Sequence, residues 1–570
     1  MKNLFITTLL AGSLCLLAGC GAPEKPAATA PAPGEIPHLE KRGETTQLIV
    51  HGKPHLVLGG ELRNSTSSHK DYLLPKLEIA RQGGLNTVLA VITWEQIEPQ
   101  EGVFDFTTVD DLVQGAREND LKLVILWFGS WKNGITSYVP QWVKNDQKRF
   151  PLIETKEGHR LPILSTVVEQ NWKADAKAYA AMMRHLKEID GTENTVVMIQ
   201  VENEVGLHGD TRDYLPAAVE LFNAPVPEQL MSYLVEHKES LLPELRKAWD
   251  AAGGRTSGTW NEVFGKGDYT DELFMAWNYS RYLNEVAAAG KAEYALPTFV
   301  NAWIVQPEDR HPGDYPSGGP QAQNHDIWRA GAPNIDILSP DIYLSDFPGI
   351  LDMYSRGGNP VFVPESKAYA GGAANATYAL AERHAIGYSP FAIEHYLDDP
   401  ENNPLSQLYR ALGTFTDRIA AHQAAGTIRG AWLKAENPVR PKQTVSLGDY
   451  DVEFSLITVK QSGAVNLVGY QTTEGYGLIM QEGPGEYIVM GSNVQVVFRP
   501  KDGSLAGLAK VEEGWFEADG QWHGQRWLNG DEVQLRYDLK KAESEGLSGA
   551  GLRFRGITPA FQRVWLYNYR

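Results

Sequence analysis

Cysteine is nearly missing from this chain: among 570 residues only Cys15 and Cys20 carry a thiol. Everything after Cys20 is therefore without a disulfide, a thiolate metal site or a cysteine nucleophile. The fold must rest on buried apolar surface, which a chain of this length can supply several times over. Positive charge is also scarce. Lysine and arginine number 52 against 71 acidic residues, a formal charge of −19. Such a surface repels nucleic acid and anionic headgroups, so neither is expected as a partner. Long apolar runs are lacking as well. Only Leu4 to Leu17 is nearly continuous, and it is brief for a bilayer span. No internal repeat is visible. What the chain does hold is aromatic surface, 15 tryptophans and 24 tyrosines. Beside an acidic surface this suits stacking on sugars, although most of these rings belong to the core.

The first residues predict export. Met1-Lys2-Asn3 is a short positive start, Leu4 to Leu17 is an apolar signal core, and Leu17-Ala18-Gly19-Cys20 closes it. That ending resembles a bacterial lipobox, which implies a signal peptide over 1–20 and a lipid on Cys20. Gly21, where an aspartate would resemble an inner-membrane retention signal, points to the outer membrane of a Gram-negative cell. Gly21 to about Gly34 is Pro/Ala-rich without apolar period and reads as a tether. The tether region is taken as 21–45.

From 46 to 425 short β-rich runs alternate with helical stretches. Strands are predicted at His55–Gly59, Asn86–Thr93, Leu121–Phe128, Thr195–Val201, Thr298–Asn301, Asp336–Leu338, Val361–Val363 and Pro390–Ile393. Helices are predicted at Tyr72–Gln82, Val109–Glu118 and Lys173–Ile189. Near-continuous apolar strands separated by helices imply a parallel sheet covered on both faces. About eight units predict an α/β fold of the (β/α)8 TIM-barrel type, with a doubly wound open sheet as the alternative. After about residue 425 the period changes. Alternating runs such as Val494–Phe498, parted by Gly/Asp/Asn turns, predict an antiparallel β-sandwich over 426–570.

Two strand ends carry the chemistry. Ile199-Gln200-Val201-Glu202-Asn203-Glu204 runs from a buried strand into two carboxylates and an amide. Val361-Phe362-Val363-Pro364-Glu365 ends another apolar strand in one carboxylate. In a barrel this edge is where active sites are built. On a regular strand Glu202 and Glu204 share a face and Asn203 opposes them, unless a bulge re-aims one. A carboxylate there is costly to bury and needs partners. A salt bridge or a helix cap would satisfy either one alone. Two together suit glycosidic cleavage, in which one carboxyl gives a proton to the leaving oxygen and the other attacks the anomeric carbon.

These residues also resemble a family. Asn203-Glu204 ending strand four and Glu365 ending strand seven are similar to the arrangement of the retaining (β/α)8 glycosidases. Gln200 to Gly206 resembles the signature of glycoside hydrolase family 35, the β-galactosidases. Trp94, Glu98-Pro99, Gly102 and Phe104-Asp105-Phe106 resemble a segment shared by families 35 and 42. The likeness implies that Glu204 is the acid/base, Glu365 the nucleophile, and Asn203 a contact to the sugar 2-hydroxyl. Tyr343 resembles the strand-six tyrosine that hydrogen-bonds the nucleophile. Where family 35 commonly has a galactose-gripping glutamate after strand three, this chain has Ser130, and Gln96 replaces a usual aromatic. In this it resembles the bacterial lipoprotein branch, which includes a xyloglucan-processing enzyme.

Further sugar contacts are expected from Glu98, Ser130, Trp131, Trp260 and Trp303. Glu61 and Arg63 either orient the nucleophile or pair with each other. His325 and His395 have no second ligand at metal spacing, so no metal and no cofactor is expected. The resulting expectation is a retaining exo-β-galactosidase with a carbohydrate substrate. Its rivals are an exo-glycosidase for another β-linked sugar and a glycan-binding lipoprotein without activity.

Overall fold

The computed structural model describes residues 35–436, 438–457, 473–533 and 550–569. The signal peptide, Cys20 and the tether up to residue 34 lie outside the described residues. Residues 35–45 are not tether. β1 (His38–Arg42) pairs antiparallel with β2 (Thr45–Val50), setting Leu39 opposite Leu48. Leu48 is buried in the barrel interior and Leu39 packs against it, which anchors the segment to the barrel.

The barrel strands are β3 (Val57–Glu61), β4 (Thr87–Thr93), β5 (Lys122–Lys132), β6 (Val196–Asn203), β7 (Thr298–Trp303), β8 (Ile337–Ile342), β9 (Glu365–Ser366) and β10 (Gly387–Tyr388). β4 and β6 are buried at every position. One set of barrel side chains fills the interior, including Leu89, Val91, Val124, Val197, Phe299 and Phe362. The other set meets the helices. A strand with two apolar faces is stable only when both are covered, at roughly 1.5–3 kcal/mol for each large side chain buried. The sheet runs in the order β9-β8-β7-β6-β5-β4-β3-β10, with parallel neighbours throughout. A parallel bridge from Val363 to Tyr388 joins its two ends. This is the expected (β/α)8 barrel.

The helices that matter for the site are α1 (Lys70–Gln82), α2 (Thr107–Glu118), α3 (Glu169–Asp190), α4 (Asp268–Glu293), α5 (His325–Gly331), α6 (Phe347–Tyr354), α7 (Gly372–Ala381), α8 (Pro404–Gly413) and α9 (Thr416–Ala425). The last strand lies at Gly387–Tyr388, ahead of the expected Pro390–Ile393. Ala392 takes φ +54° and Ile393 opens a short helix, so that apolar run turns away from the sheet. Among the described residues no helix is long and apolar enough to cross a membrane.

Beyond α9 the chain turns all-β. β11 (Ile428–Lys434), β14 (Glu474–Gly483), β15 (Glu486–Ser492), β20 (Ala560–Tyr569), β17 (Leu505–Phe516) and β18 (Trp522–Trp527) form one antiparallel sheet in that order. β12 (Lys442–Leu447), β13 (Tyr450–Leu456), β16 (Val494–Pro500) and β19 (Gly551–Phe554) form the second. Val452, Phe454, Ile479, Val489 and Val496 lie between them. The larger sheet lies on the barrel. Phe415 stacks on Phe516 at 4.4 Å, and Trp432 Nε1 donates to Asn375 Oδ1 at 2.9 Å.

Candidate active site

The end of β6 is not a regular strand. Glu202 and Glu204 take φ +62° and +44°, left-handed conformations that side-chain-bearing residues adopt only where the surroundings enforce them. The pairing of β5 with β6 slips between Trp127 and Lys132. This bulged end re-aims the side chains. Glu202 turns back into the protein and accepts the N–H groups of Ser130 at 2.9 Å and Trp131 at 2.8 Å. Asp175 from α3 joins it, accepting from Trp127 Nε1 at 2.9 Å and Ser130 Oγ at 2.6 Å. A Cβ on Gly129 would stand 2.5 Å from Glu202 Oε1 and 2.7 Å from Asp175 Oδ1, so only glycine admits this packing. Burial raises both carboxyls above the usual range, Glu202 the more strongly.

Glu204 points instead into a cleft of about 410 Å³, lined by Asn64, Lys132, Asn133, Trp303, Ile304, Gln306, Asp341, Tyr343, Glu365 and Phe391. Its own N–H donates to Asn301 Oδ1 at 3.0 Å, and Asn301 Nδ2 donates to Asp341 Oδ2 at 2.7 Å. Glu365 rises from β9, after the proline that ends the apolar run. Tyr343 Oη donates to its Oε1 at 2.5 Å. One carboxyl oxygen from each of Glu204, Asp341 and Glu365 lies within 4.8 Å of the others. Among the described residues no other three metal-type ligands converge this way.

Three carboxyls at that spacing cannot all carry charge. Burial, and then the charge of Glu365, pushes Glu204 up to about 7, while the Lys132 ammonium draws it down. Asp341 lies well above the usual carboxylate range through burial, then Glu365, then Glu204. Glu61 is raised likewise, by burial and then Glu365. At neutrality the cleft therefore holds protons on carboxyl groups, which is the condition for general acid catalysis.

The structure brings Glu204, Glu365, Tyr343 and Trp303 to one cleft. Asn203 is buried beside them, with neither amide atom hydrogen-bonded within the described residues. The other expected contacts lie elsewhere. Trp131 is 1 % exposed, packed on Tyr279 and Tyr282. Trp260 opens a short helix remote from the cleft and packs on Phe264 and Phe274. Both are core rings, drawn there by their apolar area. Ser130 is fully buried in the Asp175 network and cannot replace a sugar-gripping glutamate. Glu98 binds the loop after β4 to α3. It accepts Trp94 Nε1, the Gly102 N–H and Lys177 Nζ, and none of its surface is left for a sugar.

Glu61 and Arg63 do not pair. Arg63 is exposed beside His395, while Glu61 faces the carboxyl cluster. His325 is buried against Tyr354. Asp341, Lys132, Asn133, Gln306 and Asn64 are cleft residues that the sequence pattern did not single out. Asp341 carries a usable signal, since it too is a carboxylate ending an apolar strand. A larger hollow of about 510 Å³ beside Pro225, Met231 and Val235 brings no buried carboxyl pair together.

Residues 67–274 match a family described as beta-galactosidase, glycosyl hydrolase 42. Residues 405–540 match a domain of unknown function, DUF5597, which spans the last two barrel helices and most of the sandwich. A beta-galactosidase of Xanthomonas manihotis is 28 % identical over 195 residues, covering 33 % of this chain and 30 % of that protein. Beta-galactosidase 8 of Oryza sativa subsp. japonica is 23 % identical over 261 residues, covering 45 % and 35 %. The chain thus spans about a third of the length of these relatives. Among solved structures, the cold-adapted beta-galactosidase from Rahnella sp. R3 aligns over 65 % of this chain and 57 % of its own, at 17 % identity and a TM-score of 0.43. Over part of its barrel the chain is similar to β-galactosidase-like glycosyl hydrolases.

Proposed function

We propose that this protein is a retaining exo-β-galactosidase of the family 35 type, held at the outer membrane by a lipid on Cys20. The observation that carries the reading is the convergence of Glu204 and Glu365. Their nearest carboxyl oxygens lie within 4.8 Å across one cleft, a spacing that favours direct attack over a water-mediated one. Their surroundings divide the labour. Glu204, at about 7, is a proton donor at neutrality. Glu365 is held by the Tyr343 hydroxyl, which fixes the oxygen not needed for attack.

The chemistry follows in two displacements. Glu365 attacks the anomeric carbon as Glu204 gives its proton to the departing oxygen, leaving a glycosyl ester on Glu365. Water then gives a proton to Glu204 and bonds the same carbon, and the ester breaks. Asn203, buried with a free amide, stands ready for a sugar hydroxyl, and Trp303 offers a ring at the cleft wall. Galactose as the sugar rests on the relatives' names and on the sequence resemblance. Xyloglucan side chains as the source rest on the resemblance alone. Another β-linked sugar is the second reading, favoured by Ser130, because the galactose-gripping glutamate is absent and its position is buried.

A panel of nitrophenyl glycosides tests the sugar. The β-galactoside should be cleaved at least tenfold faster than the others, and a flat or shifted preference overturns that assignment. Azide tests the roles: it should restore turnover to Glu204→Gln and yield a β-glycosyl azide. An α-azide, or rescue of Glu365→Gln alone, reverses the two assignments. Cys20→Ser should move the protein from membrane to soluble fraction, and unchanged fractionation removes the anchor from the reading.

A further inference from the structure

Two carboxyls suffice for the chemistry above, yet the cleft holds a third. Asp341 lies next to the last residue of β8, is 2 % exposed and forms part of the cleft wall. One of its oxygens is committed. Asn301 Oδ1 accepts the Glu204 N–H, which obliges the Asn301 amide to present its N–H to Asp341 Oδ2 at 2.7 Å. The other oxygen, Oδ1, is buried without a hydrogen-bond partner. The Asp341 carboxyl lies within hydrogen-bonding reach of Glu204.

The groups facing Asp341 are nearly all acidic. Glu204 comes from β6, Glu365 from β9 and Glu61 from β3. The Tyr343 and Tyr354 hydroxyls approach from the end of β8 and from α6. The cation at the cleft, Lys132 on β5, acts on Glu204 and Glu61. A carboxylate placed there would be repelled from three directions, whereas a carboxylic acid fits as a donor aimed at an acceptor.

We propose that Asp341, in the glycosidase reading above on which this rests, is a positioning residue that keeps its proton throughout turnover and donates it as a hydrogen bond to Glu204. When Glu204 passes its own proton to the leaving oxygen, it becomes a buried anion. The C1–oxygen bond to the leaving group breaks, the C1–Glu365 bond forms, and the Asp341 O–H steadies the new carboxylate. In the second displacement water returns a proton to Glu204, and Asp341 still holds the one it began with. Burial and the charges of Glu365 and Glu204 favour that protonated form. The arrangement makes Glu204 a better acid without adding charge to the cleft.

The test is the pH profile of kcat/KM for wild type, Asp341→Asn and Asp341→Leu on the preferred nitrophenyl glycoside and on one with a poorer leaving group. Asparagine keeps a neutral N–H donor, so its rate should stay within about threefold of wild type and its alkaline limb should not move. Leucine removes the donor, and the rate should fall about tenfold to a hundredfold, most for the poorer leaving group. If Asp341 is instead ionised, removing a charge that lies within 4.8 Å of Glu204 should drop the alkaline limb of Asp341→Asn by about two pH units or more. That drop overturns the proposal, and so does an inactive Asp341→Asn that melts like wild type. A leucine variant as active as wild type overturns it also. Should Asp341→Leu not fold, the position of the limb in Asp341→Asn decides alone. The underlying reading fails separately, if Glu204→Gln and Glu365→Gln retain activity.

Discussion

Replacing Glu204 with glutamine should make the protein more stable in alkaline solution. The wild-type carboxyl titrates at about 7 against an ordinary 4.5, mainly because it is buried. Between those two values the folded chain holds a proton that the unfolded chain releases. Stability therefore falls as the pH rises from 4.5 through 7 and levels off above. Every pH unit in that window removes about 1.4 kcal/mol, so the loss is on the order of 3 kcal/mol. Glutamine has the same shape, leaves the Glu204 N–H bond to Asn301 in place and has no charge to acquire. Thermal melting of both proteins at pH 5 and pH 9 reads the difference. Near pH 5 they should agree within about 1 °C. At pH 9 the variant should melt about 2–3 °C higher, since the unfolding entropy of a chain of 570 residues makes each kcal/mol worth roughly 0.8 °C. The alkaline limb of the activity profile near pH 7 should vanish from whatever turnover remains. Equal melting at both pH values, with the limb still present, would refute the claim that Glu204 carries the raised titration.

Lys132→Met removes the ammonium that draws Glu204 down, so the alkaline limb should move to higher pH, as a pH–rate profile would show. An unmoved limb would mean that Lys132 does not face the acid. Glu98→Ala strips the partners from the buried Trp94 Nε1 and Gly102 N–H and frees Lys177. It should cost about 2–4 kcal/mol in denaturant melts, with KM of the folded fraction unchanged. A raised KM at unchanged stability would restore Glu98 as a sugar contact.

The barrel is legible in the sequence because its strands are apolar on both faces, a pattern such as Thr-Val-Leu-Ala-Val-Ile-Thr at 87–93 that few other environments tolerate. The last strand lies three residues ahead of its expected start, because Pro390 to Ile393 is as apolar as a strand but bends at Ala392. Glu204 and Glu365 are legible as carboxylates ending buried strands. Asp341 obeys the same rule, but Tyr343 two residues on is the more conspicuous feature of that strand end. Trp131 and Trp260 mislead for a different reason: a stacking platform and a core ring have the same composition, and only packing separates them. Nor can the alternation of a regular strand foretell that Glu202 and Glu204 part company. That depends on two positive φ angles and on the slipped pairing of β5, features that arise only when the strands meet. The beginning of β1 is hidden by its Pro/Ala-rich neighbour.

The most direct test of the catalytic pair is covalent trapping. Wild-type protein incubated with a dinitrophenyl 2-deoxy-2-fluoro-β-galactoside should release one equivalent of phenol and stop. The fluorine slows both steps, and the good leaving group restores only the first. Intact mass should then show one fluorosugar per chain, and peptide mapping should find it on Glu365, the carboxyl that Tyr343 holds facing the cleft. A sugar on Glu204, or continued hydrolysis with no adduct on any glutamate, would contradict the account.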